Sequence, residues 1–151
     1  MWALGESPML VRVGMDEFAS KLIGKIDSIT LPSRSTWVRQ GQKFATITRD
    51  GKSIDLISPM EGSISDINEA AIKDPEAARK DPYNGGWLIS VQAPDQKTNF
   101  RNLLAGNTAK WWMEATVNRM HPATAQDGGE AVDDFASGDN WEITVKELLL
   151  N

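Results

Sequence analysis

Side chains able to do chemistry are few in this chain, and their spacing does not gather them. Asp16, Glu17 and Glu69 are carboxylates of the kind a general acid or base requires. No nucleophile, second base or metal-ligand set stands near them in sequence. Cysteine is absent, which removes disulfide scaffolds, thiol nucleophiles and thiolate metal sites together. His121 is the single histidine and precedes Pro122, so one chain cannot assemble a histidine metal cluster, and the residue reads as a domain boundary. Asp127, Asp133 and Asp134 lie in a glycine-rich stretch, where acids usually solvate a loop. Trp111-Trp112 offers either packing or a docking surface, since adjacent helical residues point about 100° apart and one of the pair can be buried while the other is not. These residues predict a protein without an active site of its own.

The bulk properties bound what must position them. The 151 residues are enough for one core, with 40% hydrophobic and 25% charged residues, near the averages for globular proteins. A net charge of -5 and the lack of a dense lysine and arginine stripe argue against nucleic acid as a partner. Apolar runs such as residues 148–150 fall far short of the roughly 20 residues a bilayer span needs, so no membrane partner is expected. The opening Met1-Trp2-Ala3-Leu4-Gly5-Glu6 lacks the basic and apolar regions of a secretory signal, and a cytoplasmic setting is the simple expectation.

Local patterns predict a β-rich domain. Residues 9–13 alternate toward a turn at Gly14, and residues 15–24 carry an acid at the start, Phe18, Leu22 and Ile23 on one helical face, and glycine at the end. Further strands are expected over 25–31, after Trp37-Val38 and Gly41-Gln42 through Phe44 and Ile47 up to Asp50-Gly51, and over 52–57, 63–67 and 87–91. Asp50-Gly51 between two strand-like runs signals a hairpin tip, because a type I′ turn needs positive φ at both central residues. Residues 68–80 read as helix divided at Asp74-Pro75, and Asp81-Pro82-Tyr83-Asn84-Gly85-Gly86 as a turn-rich loop. Residues 99–120 read as two helices broken near Gly106. Residues 122–140 read as a loop or mobile tail, and 141–150 as a short helix or strand.

One run of residues carries a resemblance. Ile57-Ser58-Pro59-Met60-Glu61-Gly62, then Asn68-Glu69-Ala70, then Asp81-Pro82-Tyr83-Asn84-Gly85-Gly86-Trp87-Leu88 is similar in order and spacing to the glycine cleavage H-protein family, the lipoylated shuttle of the glycine decarboxylase system. Val11-Arg12-Val13-Gly14-Met15-Asp16-Glu17-Phe18-Ala19 and Gly24-Lys25-Ile26 resemble the family's strand, short helix and glycine, and the likeness runs from about residue 2 to about residue 112. It implies a flattened barrel-sandwich hybrid of two small antiparallel sheets with a lipoyl-lysine displayed at a hairpin tip; the local patterns make the expected fold mostly β with peripheral helices and add a C-terminal helical extension. The carrier domain is expected over residues 1–121, with 122–151 as a tail.

The family's acceptor lysine is not where the resemblance puts it. Counting back seven residues from Ser58, or forward ten from Gly41, reaches Gly51; Lys52 follows one residue later, and the acid that usually precedes the lysine is replaced by Thr48 or Arg49. Two readings follow. In the first, the chain is a carrier-like binding module with a degenerate lipoyl site, bearing no cofactor and acting through protein contacts, with lipoate-dependent enzymes or lipoate-ligase-like proteins as partners. In the second, lipoate is attached at Lys52, with Asp50 and Gly51 forming the tip, and the arm passes aminomethyl, acyl or reducing equivalents between enzymes. A biotin carrier shares the hairpin but has methionines flanking its lysine, which Asp50-Gly51-Lys52-Ser53 lacks.

Overall fold

The structure is a computed structural model in which residues 1–120 are described. The expected boundary at His121, the tail and the element over 141–150 lie outside the described residues. Among the described residues eight strands form two antiparallel sheets. The larger runs β1 (Trp2–Gly5), β2 (Leu10–Gly14), β8 (Trp87–Gln92), β7 (Gly62–Ile67), β4 (Trp37–Val38); the smaller runs β3 (Ser28–Thr30), β5 (Lys43–Arg49), β6 (Lys52–Ile57). The inward residues follow the period of two that a pleated strand imposes: Val11 and Val13 on β2, Ile54 and Leu56 on β6, all with essentially no exposure. β8 is buried over the four consecutive residues 88–91, which suits its place in the middle of the larger sheet, where layers cover both faces.

Helix α1 (Glu17–Ile23) begins where Asp16 caps it, the carboxylate accepting from the Ala19 amide at 2.7 Å, and ends at Gly24, whose φ of 68° few other residues adopt. Its Phe18, Leu22 and Ile23, the one helical face that their spacing predicts, join the shared core with Met15, Ile47, Met60 and Ile89. Asp74-Pro75 divides the next helical segment into α2 (Glu69–Lys73) and α3 (Pro75–Lys80), with Asp74 capping the second. Helices α4 (Gln96–Arg101) and α5 (Gly106–Met120) follow. The first starts before residue 99, at the cap Asp95. The structure adds β1, which the sequence pattern did not predict. It also alters Gly14: rather than entering a turn, Gly14 ends β2 and pairs with Trp2, where a Cβ would lie 2.6 Å from the Trp2 ring.

Candidate functional site

The β5–β6 hairpin is built from its base upward. At the base, the Gly41 amide donates to the Ser58 carbonyl and the Ser58 amide to the Gln42 carbonyl, each at 2.8 Å. The buried Ser58 hydroxyl donates to the Met60 carbonyl at 2.7 Å and fixes the Ser-Pro-Met turn. Along the strands Ile47 faces Ile54, Thr48 faces Ser53 and Arg49 faces Lys52. Asp50 and Gly51 close the turn with φ of 49° and 76°, the pair of positive values that a two-residue type I′ connection demands. A Cβ on Gly51 would meet nothing within 4 Å, so the tip is open.

The consequence for Lys52 is geometric. It opens β6 in phase with the buried Ile54 and Leu56, and is itself half-buried and engaged in an interaction. Ser53, the next residue, is exposed on the opposite face. The pleat therefore turns Lys52 toward the core side of the hairpin. Its cross-strand partner Arg49 is also cationic, an unfavourable pairing relieved because Arg49 reaches sideways: its Nη1 donates to the Ile23 carbonyl at 2.9 Å and its Nε lies 3.5 Å from the Asp50 carboxylate.

Two anchors tie the tip to the domain. The Asp27 amide donates to the Thr48 carbonyl at 2.9 Å, and the Asp27 carboxylate accepts from the Asp50 amide at 2.7 Å. The Asp50 N–H, with lesser help from the Lys25 and Arg49 charges, holds the Asp27 carboxyl below the ordinary carboxylate range. Arg49 on the Ile23 carbonyl is the second anchor, and it caps the end of α1. Neither Asp27 nor Arg49 is marked by the sequence; both act through contacts between residues more than twenty positions apart.

The carboxylates considered for acid–base work serve structure instead. Asp16 caps α1, Glu17 pairs with Lys21 at 2.7 Å, and Glu69 lies 3.4 Å from Arg34. Among the described residues no three histidine, aspartate or glutamate side chains gather as a metal site, and no helix is long and apolar enough to cross a membrane. Of the tryptophan pair, Trp112 meets Phe18 edge-on at 6.1 Å between centroids, whereas Trp111 is 69% exposed.

A sequence model of the glycine cleavage H-protein matches residues 1–116. The chain belongs to the glycine cleavage H-protein family. Among relatives, a probable glycine cleavage system H protein of Aeropyrum pernix is 32% identical over 107 residues, covering 71% of this chain and 72% of that protein. A second such protein, from Sulfurisphaera tokodaii, is 28% identical over 118 residues, covering 78% and 79%. The crystal structure of a glycine cleavage system H protein from Mycobacterium marinum superposes with a TM-score of 0.56 at 30% identity, covering 67% of this chain and 85% of that one. The family's members are non-catalytic lipoyl carriers, and the two-sheet architecture described above is their barrel-sandwich fold.

Proposed function

We propose that this chain is an H-protein-like module whose lipoyl site is degenerate and which works through protein contacts, with lipoate-dependent enzymes or lipoate-ligase-like proteins as partners. The observation that carries the reading is the two-residue turn. With Asp50 and Gly51 at its centre, glycine occupies the position where the family resemblance calls for lysine. Lys52 begins the return strand on the same face as Ile54 and Leu56. A swinging arm needs an amine that projects from the apex toward a ligase and then toward successive enzymes. Because strand side chains alternate, a displacement of one residue exchanges the outward face for the inward one. What such a module keeps is the rigid recognition surface, over residues 1–121, with 122–151 as an appended segment.

The test is co-expression with a lipoate ligase and lipoate, followed by intact mass and peptide mapping, with a functional H protein treated in parallel. The natural chain is expected to stay unmodified, and Gly51→Lys, which puts an amine at the open tip, to acquire the lipoyl group. A lipoyl increment on Lys52 of the natural chain, lost in Lys52→Arg, would overturn the reading and make this a working carrier with a displaced attachment point. A folded Gly51→Lys protein that stays unmodified would show that the missing tip lysine is not what sets this chain apart.

A further inference from the structure

We propose that Asn84-Gly85 is a latent site of hydrolytic deamidation whose ring closure is held off by the Asp81 carboxylate. It is the one Asn-Gly pair in the chain, and both residues are exposed in the turn between α3 and β8. In such a pair the glycine amide, unshielded by any Cβ, can attack the side-chain carbonyl carbon of the asparagine. The new N–Cγ bond replaces the Cγ–Nδ2 bond, the attacking nitrogen gives its proton to solvent, and ammonia leaves. Water then opens the succinimide to aspartate or isoaspartate. The step needs no reactant besides water, and nothing is oxidised or reduced.

Both reacting groups are tied to one carboxylate. The Gly85 amide, the nucleophile, donates to Asp81 Oδ2 at 3.0 Å, and Asn84 Nδ2, the leaving group, donates to Asp81 Oδ1 at 3.1 Å. These bonds hold the Asp81 carboxyl below the ordinary carboxylate range, the Gly85 amide contributing most. Asp81 is thus an anion at neutral pH and too weak a base to take an amide proton, and its charge opposes the nitrogen anion that must form beside it. The adjoining backbone is pinned as well. The Gly85 carbonyl accepts from Asn68 Nδ2 at 2.8 Å, and the Gly86 amide donates to the Asp81 carbonyl at 2.7 Å. Attack requires the Gly85 nitrogen to be aligned on the Asn84 carbonyl carbon, and the pinned turn gives up its bonds to Asp81 in doing so. Asn68 also caps α2, its Oδ1 accepting from the Ala70 amide at 3.1 Å. An isoaspartyl link, which lengthens the backbone by a carbon, would therefore pull on the start of that helix.

The experiment incubates the full chain in mildly alkaline buffer beside a synthetic peptide of residues 78–90 and follows Asn84 by peptide mapping of the amide-to-acid mass change. Asn84 in the chain is expected to convert at least about tenfold more slowly than in the peptide, the rate factor that a hydrogen bond to a charged group is worth. Asp81→Asn, which removes the charge, and Asp81→Ala, which removes the acceptor, are each expected to speed conversion in the chain about tenfold. Pro82 has no N–H, so the first variant does not add a second site of the same kind. Ser58→Ala, which loosens the domain far from the turn, is expected to leave the rate at Asn84 unchanged and so separates the clamp from global unfolding. Four results would overturn the proposal: conversion in the natural chain at the peptide's rate, both Asp81 variants as slow as the natural chain, slower conversion in those variants, or an equal acceleration in Ser58→Ala. Each of them leaves the reading of the hairpin tip untouched, because residues 81–86 lie outside the hairpin.

Discussion

Replacing Gly62 with alanine is expected to destabilise the domain by about 4 kcal/mol, the sum of a conformational and a steric cost. Gly62 has φ of 157°, a region side chains disfavour, at about 1–3 kcal/mol. A Cβ there would lie 2.1 Å from the Gln92 carbonyl oxygen and 2.9 Å from Val91 Cγ1. β8 would have to retreat by roughly 1 Å to restore contact distance, loosening its pairing with Ser63 and the adjoining Val38–Gly62 pair; overpacking of this kind costs about 1–3 kcal/mol, sometimes more. Two other glycines separate the contributions. Gly51→Ala bears only the positive φ, with open space around it, and is expected to cost about 1 kcal/mol. Gly86→Ala has no positive φ but would set a Cβ 2.2 Å from the Ala78 carbonyl oxygen, for about 1–3 kcal/mol. Urea unfolding measures all three, provided the slopes match. A Gly62→Ala midpoint no lower than that of Gly51→Ala would refute the argument that β8 closes on Gly62.

Three further outcomes follow from the same geometry. The Asp27 carboxyl is held below its ordinary value, so its bond to the Asp50 amide is present above about pH 4 and is lost as pH falls through the lowered value. The Asp50 amide proton shift should report that step, and Asp27→Asn should erase it; a midpoint above the ordinary carboxylate range would contradict the assignment. Ser58→Ala strips the Met60 carbonyl of a buried donor and should cost about 1–3 kcal/mol by chemical denaturation. A loss indistinguishable from zero would mean the turn is held otherwise. Trp112→Ala should lower stability by about 1 kcal/mol through the lost edge contact with Phe18, while Trp111→Ala stays within about 0.5 kcal/mol; equal effects in thermal melts would reverse the orientation given to α5.

What the sequence discloses here is whatever local chemistry decides. Asp50-Gly51 specifies its turn because few other pairs take two positive φ values, Pro75 divides a helix because it lacks a donor, and Asp16 starts α1 by capping it. β1 escapes such reasoning: Trp2-Ala3-Leu4-Gly5 is short and unalternating, and it is a strand because β2 pairs with it. Gly14 misled for the same reason. Its lack of a side chain answers the Trp2 ring lying over it rather than a bend in the chain. At the hairpin, the missing lysine was readable by counting from Ser58 and Gly41. The direction of Lys52 follows from the strand register, which the pairing of Arg49 with Lys52 fixes. The anchors Asp27 and Arg49 gave no sequence signal, since their roles exist only once distant segments have met.

The placement of β8 has a consequence for the order of assembly. It is the middle strand of the larger sheet, between β2 and β7, yet it is the last of the described strands to leave the ribosome. Until Trp87–Gln92 has been made, β1 and β2 can pair only with each other, and β7 only with the two residues of β4. The smaller sheet has no such wait, because β5 and β6 are joined by a two-residue turn. The nascent chain should therefore carry a formed hairpin and two unfinished sheet edges until one late segment zips them together, a closure over a long span that is slow and exposes aggregation-prone edges meanwhile. Chains halted before that segment should be cleared by proteolysis, whereas chains halted after it should survive.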